Sequence, residues 1–189
     1  MLAAIALLAA ATSLPPSGDD QLSAFKQTCA VATSYTGLIS TLTSDGWTAY
    51  PSPEKSHLAK ELAAVEPMLD AQGLSSDYTV YAHDANGRHL ELAVSKTRKP
   101  LANGRRLIGC SLYDFAASEP IPADDLEPLA NKAKGQASLA ADVQIETWKN
   151  INGPGTDMRA VFVPPSSAQA EPLGFTGMML GTSFLDGAN

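Results

Sequence analysis

The sequence holds few of the residues from which motif-borne chemistry is built. Among its 189 residues are three histidines and two cysteines, which leaves few general bases and no thiolate cluster for a metal. It contains no Gly-x-Ser-x-Gly elbow, His-Glu-x-x-His pair, Walker loop or Gly-x-Gly-x-x-Gly turn, and no regular alternation of strands with helices. Positive charge is scarce, with 13 Lys and Arg against 20 Asp and Glu, a net charge of −7 and a pI near 4.8. That balance argues against general affinity for nucleic acid, which needs a positive field to displace counterions from phosphate. With 44% hydrophobic and 17% charged residues, the composition is that of a folded domain and excludes wholesale disorder.

Long hydrophobic runs are also missing. The longest, Leu2 to Ala11, is unbroken over ten residues, half of the roughly 20 that span a bilayer as a helix. Followed by Thr12, Ser13 and the break Pro15-Pro16-Ser17-Gly18, it reads as the apolar core of a signal peptide. Ala9-Ala10-Ala11 supplies the small residues for cleavage after Ala11. No Lys or Arg precedes Lys26, so the basic flank of such a leader is absent from the chain. The expected division is a signal peptide over 1–11, a linker over 12–18 and one domain over 19–189, in a periplasmic or secreted protein. No cysteine adjoins the cleavage site, so a lipid anchor is not indicated.

The strongest strand runs from Asn103 to Phe115. Ile108, Cys110 and Leu112 share one face and Leu107, Tyr113 and Phe115 the other, which predicts a central strand covered on both sides. Cys110 on that strand can reach a helix expected around Cys29. An even count in an oxidising compartment reads as one disulfide, worth about 4.5 kcal/mol at most by chain entropy. Two separate buried thiols are the alternative.

Before that strand, Asp19 and Asp20 with Leu22, Phe25 and Cys29 predict a helix over about 20–35, ended by Gly37. A short helix over 38–43 and a strand at Trp47-Tyr50 follow. Ser52-Pro53 opens another helix with the stripe Leu58, Leu62, Val65 and Leu69, beside which His57 reads as a lone exposed histidine. The period then changes to two, and Tyr78-Val80-Ala82 and Leu90-Leu92-Val94 flank Asp84-Ala85-Asn86-Gly87-Arg88 as a hairpin. A three-residue loop, Ala85-Asn86-Gly87, pairs Val80 with Leu92 and Asp84 with Arg88, and keeps the aliphatic side chains on one face. A two-residue Asn86-Gly87 turn would set Tyr81 against Leu92 and mix the pattern.

Beyond Phe115, Pro120-Ile121-Pro122 leads into a helix over about 123–134, with Pro128 placed to shorten it. Strands are expected over 143–148, 158–163 and 173–180. A helix followed by three strands thus occurs twice, which divides the domain into candidate halves 19–116 and 117–189. The fold class is α+β, an antiparallel sheet of six or seven strands with helices packed on a face.

The leader, the cysteine-bearing helix, Gly46-Trp47, the Gly109-Cys110-Ser111-Leu112-Tyr113-Asp114-Phe115 strand with its proline-led helix, and Leu173-Gly174-Phe175-Thr176-Gly177 together resemble a group of small exported proteins of Gram-negative bacteria with no assigned activity. The resemblance spans most of the mature chain. It implies export and a Cys29–Cys110 bridge, and it implies no catalytic residue and no cofactor.

Two candidate sites remain. Lys96, Arg98, Lys99, Arg105 and Arg106 reverse the local sign of charge and could hold the phosphate or carboxylate groups of an anionic envelope polymer or lipid. In the expected register, His83 stands opposite His89 and Tyr81 opposite Glu91, so His83, His89 and Glu91 form a candidate metal site. A noncatalytic binding module is the favoured function class. A hydrolase without a recognisable motif and a purely structural envelope protein are the alternatives.

Overall fold

A computed structural model of the protein describes residues 17–130, 135–151 and 156–187. The expected signal peptide and most of the linker lie outside these residues, as does the end, 131–134, of the helix expected over 123–134. Eight strands form one antiparallel sheet: β1 (Thr48–Ala49), β2 (Ser76–Ala85), β3 (Arg88–Thr97), β4 (Arg106–Asp114), β5 (Gln136–Ala140), β6 (Val143–Trp148), β7 (Met158–Val163) and β8 (Gly177–Asp186). Their spatial order is β1-β2-β3-β4-β8-β7-β6-β5. Two meanders therefore meet at a seam between β4 and β8, where Cys110 opposes Thr182.

The central strand is as its two apolar faces require. Ile108, Cys110 and Leu112 join one core cluster and Tyr113 the other. The first cluster is covered by α1 (Ser17–Gln27) and α2 (Tyr35–Ser44), which contribute Leu22, Phe25, Leu38 and Leu42, and by α4 (Ala123–Leu126), which contributes Leu126. The second is covered by α3 (Ala59–Ala71) and α5 (Ala170–Leu173). Helices thus pack on both faces, where one was expected.

Cys29, in a 3-10 turn after α1, is bonded to Cys110 across a sequence separation of 81. Beside this bridge, buried Gln21 donates from Nε2 to the carbonyls of Leu112 (3.1 Å) and Met178 (2.9 Å), fastening α1 over the seam.

Several boundaries differ from expectation, each for a local reason. Ser17 and Gly18, assigned to the linker, belong to α1. Gly37 lies inside α2, because Ser34 caps the helix by accepting from the Gly37 N–H at 3.1 Å. The helix after Pro122 is a single turn that tightens to 3-10 geometry over Glu127–Ala130, where Pro128 removes an amide donor. Leu173, expected to open the last strand, instead closes a helical turn over Ala170–Leu173 that ends at left-handed Gly174, and the strand starts at Gly177. The eighth strand, β5, is short and exposed along its length, Leu139 included, so no buried face announces it.

The hairpin register is corrected as well. Asn86 and Gly87 both have positive φ, 51° and 80°, the signature of a two-residue turn. Tyr81 consequently opposes Leu92, and His83 opposes Leu90. Both sheet faces are buried, so aliphatic side chains need not share one. Val80 and Ala93 face α3, while Tyr81, Leu90, Leu92 and Val94 face α1.

Candidate functional site

Alternation along β3 decides which polar side chains turn toward α3. With Leu90 and Leu92 committed to the other core, His89 and Glu91 face the helix that follows residue 57. Glu91 is fully buried, and a buried carboxylate is costly unless its oxygens are satisfied. Three segments satisfy it. Tyr50, held by its amide to the Val80 carbonyl at 2.9 Å, donates its hydroxyl to Glu91 Oε1 at 2.7 Å. The His57 amide reaches both oxygens, at 3.2 and 3.1 Å, and its Nδ1 lies 2.7 Å from Oε1. His89 Nε2 stands 3.5 Å from the same oxygen and 3.3 Å from the Tyr50 hydroxyl.

The other nitrogen of His89 is also fixed. Its Nδ1 lies 2.8 Å from Asp84 Oδ1, across the hairpin. An ionised carboxylate only accepts, so Nδ1 carries the proton toward Asp84, and Nε2, which faces a second carboxylate, donates to Glu91 when the ring is protonated. The Asp84 hydrogen bond raises the His89 pKa, assisted by Glu91 and opposed by partial burial. Burial, with the Glu91 hydrogen bond behind it, pushes the Tyr50 hydroxyl up to about 12. The phenol therefore stays protonated as a donor.

This network opens on a cleft of about 920 Å³ bounded by the start of α3, the hairpin turn and the segment around α5. His57, Lys60, Arg88 and His89 edge it, and Phe115 and Phe175 supply apolar wall. Gly174 permits the close wall: its φ is +79°, and a Cβ there would stand 2.7 Å from the Glu61 amide nitrogen. Behind the wall, Tyr113 packs edge-on against Phe175 (5.5 Å between centroids) and donates to Glu61 Oε1 at 2.7 Å. Burial pushes the Glu61 carboxyl up to about 7 despite that hydrogen bond.

His83 is separated from this cluster. It lies on the opposite face of β2, stacked on Trp47 with 5.0 Å between ring centroids. The structure thus groups His89 and Glu91 with His57 rather than with His83: their ligand atoms all lie within 4.8 Å of one another. Asp84 pairs with His89, and Arg88 with buried Asp114 at 3.1 Å. Asp114 also accepts from the Ala116 amide, which accounts for an acid at the end of the strand.

The basic segment is distributed among separate partners. Lys96 sits 4.3 Å above the Tyr35 ring, and Arg98 pairs with Asp77 (2.9 Å) and Glu66 (3.2 Å). Arg105 donates to the Leu185 carbonyl, Arg106 donates to those of Thr97 and Arg98, and Lys99 is exposed. The roles of His57 and Tyr50 escaped sequence reasoning. The available signal was Glu91 itself, an acid in the middle of the apolar run Leu90 to Val94, which demands partners from whatever packs above it.

No protein-family model, curated protein or solved structure matches the chain.

Proposed function

We propose that the protein is a noncatalytic binding module of the periplasm or extracellular space, and that its ligand site is the cleft beside His57 and His89. Support for the compartment comes from the Cys29–Cys110 disulfide, a bond that persists where conditions are oxidising, and from the apolar leader with its small-residue cleavage site. Among the described residues no helix is long and apolar enough to cross a membrane.

The cleft itself carries the functional reading. Its volume is that of a small-molecule site, and it sets the rings of Phe115 and Phe175 beside the exposed ammonium of Lys60. Its ligand class is accordingly a small molecule with an apolar ring and an anionic end, the ring lying on the aromatic wall and the anion toward Lys60. Titration of the isotope-labelled chain with phenyl phosphate, followed by amide chemical shifts, tests this. Saturable shifts should centre on Lys60, Phe115 and Phe175, and Lys60→Ala should weaken binding several-fold. Shifts that are absent, or that centre elsewhere on the surface, overturn the reading.

A further inference from the structure

The geometry points to a divalent transition-metal site made by His57 Nδ1, His89 Nε2 and Glu91 Oε1, with zinc as the fitting ion. It goes beyond the cleft reading and does not depend on it. Two imidazole nitrogens and one carboxylate oxygen suit zinc, cobalt, nickel or copper, and ill suit magnesium or calcium, which take oxygen ligands.

Three observations carry the assignment. First, the donor atoms converge from two independent elements, the turn before α3 and strand β3. Glu91 Oε1 is 2.7 Å from His57 Nδ1 and 3.5 Å from His89 Nε2, and all three donors fall within 4.8 Å. A tetrahedral zinc with bonds of about 2.0–2.1 Å places its donors about 3.3 Å apart, so small ring rotations bring the set to metal distance.

Second, the outer contacts are those a metal site uses. Asp84 accepts from the Nδ1–H of His89 and so fixes the neutral tautomer whose Nε2 can ligate. The Tyr50 hydroxyl and the His57 amide orient the Glu91 carboxylate. Third, the site is open on one side. His57 and His89 line the cleft while Glu91 is wholly buried beneath them, so three protein ligands leave a fourth position facing the cleft.

Both histidines ligate as neutral imidazoles and Glu91 as carboxylate: His57, whose side chain is 67% exposed, binds through Nδ1 with its ring proton on Nε2, and His89 binds through Nε2 with its ring proton on Nδ1.

The test uses the full chain, stripped with a chelator and titrated with zinc alone against a chromophoric competitor, with magnesium in parallel. Wild type is expected to take one equivalent of zinc and no magnesium, and to melt at a higher temperature with zinc than without. His57→Ala and His89→Ala should each lower zinc affinity at least about 100-fold, and Asp84→Asn about 10–100-fold. His83→Ala, altered on the far face, should bind as wild type. Because the His57 side chain is largely exposed, His57→Ala keeps the proposal falsifiable if the other variants fail to fold. Wild type without one-equivalent binding, or His57→Ala binding as tightly as wild type, overturns the site, as does His83→Ala weakening zinc as much as His89→Ala. Phenyl phosphate titration of the zinc-free chain reads the cleft separately, so either result can fail alone.

Discussion

The two faces of the sheet hold their helices by different means. Under α1 and α2 the contact is mainly apolar and covalent: Leu22, Phe25, Leu38 and Leu42 meet Leu92, Ile108 and Leu112, the Cys29–Cys110 bridge crosses the layer, neutral Gln21 supplies hydrogen bonds, and the buried acid Asp114 is paired with Arg88. Under α3 the apolar residues Leu58, Val80, Tyr113 and Phe175 surround two carboxyl groups that point inward, Glu91 and Glu61. Apolar burial and a disulfide are indifferent to pH across the neutral range. The Glu61 carboxyl, pushed up to about 7 by burial, is not. One face therefore behaves as a fixed floor, and the other responds to protons and, by the inference above, to metal.

Three experiments sharpen or break this contrast. The largest effect belongs to the fixed face, where the double variant Cys29→Ala and Cys110→Ala should lose about 2–5 kcal/mol in denaturant unfolding, by a similar amount at pH 5 and pH 8. A loss concentrated at one pH would mean that the bridge stabilises the titrating layer instead.

Next comes Glu61. Its folded pKa of about 7 lies above the ordinary carboxyl value of 4.5, so between these the folded state keeps a proton that the unfolded chain has released. The stabilisation is complete below about 4.5, declines as pH rises, and is gone above about 7. Glu61→Gln, which stays neutral, should flatten that decline and be more stable than wild type at pH 8 by roughly 1–3 kcal/mol. Parallel pH profiles of the two proteins would dismiss the contrast.

The smallest effect is expected outside both layers. Arg98 pairs with Asp77 and Glu66 in solvent-exposed ion pairs, so Arg98→Ser should cost below about 1 kcal/mol. A greater loss in thermal unfolding would show that the surface pairs share in holding α3.

How much of this was legible in the sequence follows from which features local pattern can carry. The central strand and its two apolar faces were readable because alternation encodes them, and Ile108, Cys110 and Leu112 project as the pattern requires. The hairpin was readable but its register was not. Grouping all aliphatic side chains assumed one wet face, whereas both are buried and the Asn86-Gly87 pair sets the turn. The same error placed His83 with His89.

Strand β5 was missed because an exposed edge imposes no alternation. The site was legible by half. His89 and Glu91 are neighbours on one strand face, but His57 meets Glu91 across 34 positions of chain, a contact made by the docking of α3, which no local period records.

The order of the strands bears on when the sheet can close. β8 is the last strand in sequence yet sits in the middle of the sheet, between β4 and β7. A chain that emerges from its amino end exposes two separate meanders with unpaired edges until residues 177–186 are available. Pairing of such sequence-distant strands is slow to form. The sheet therefore cannot lock early: its keystone arrives last.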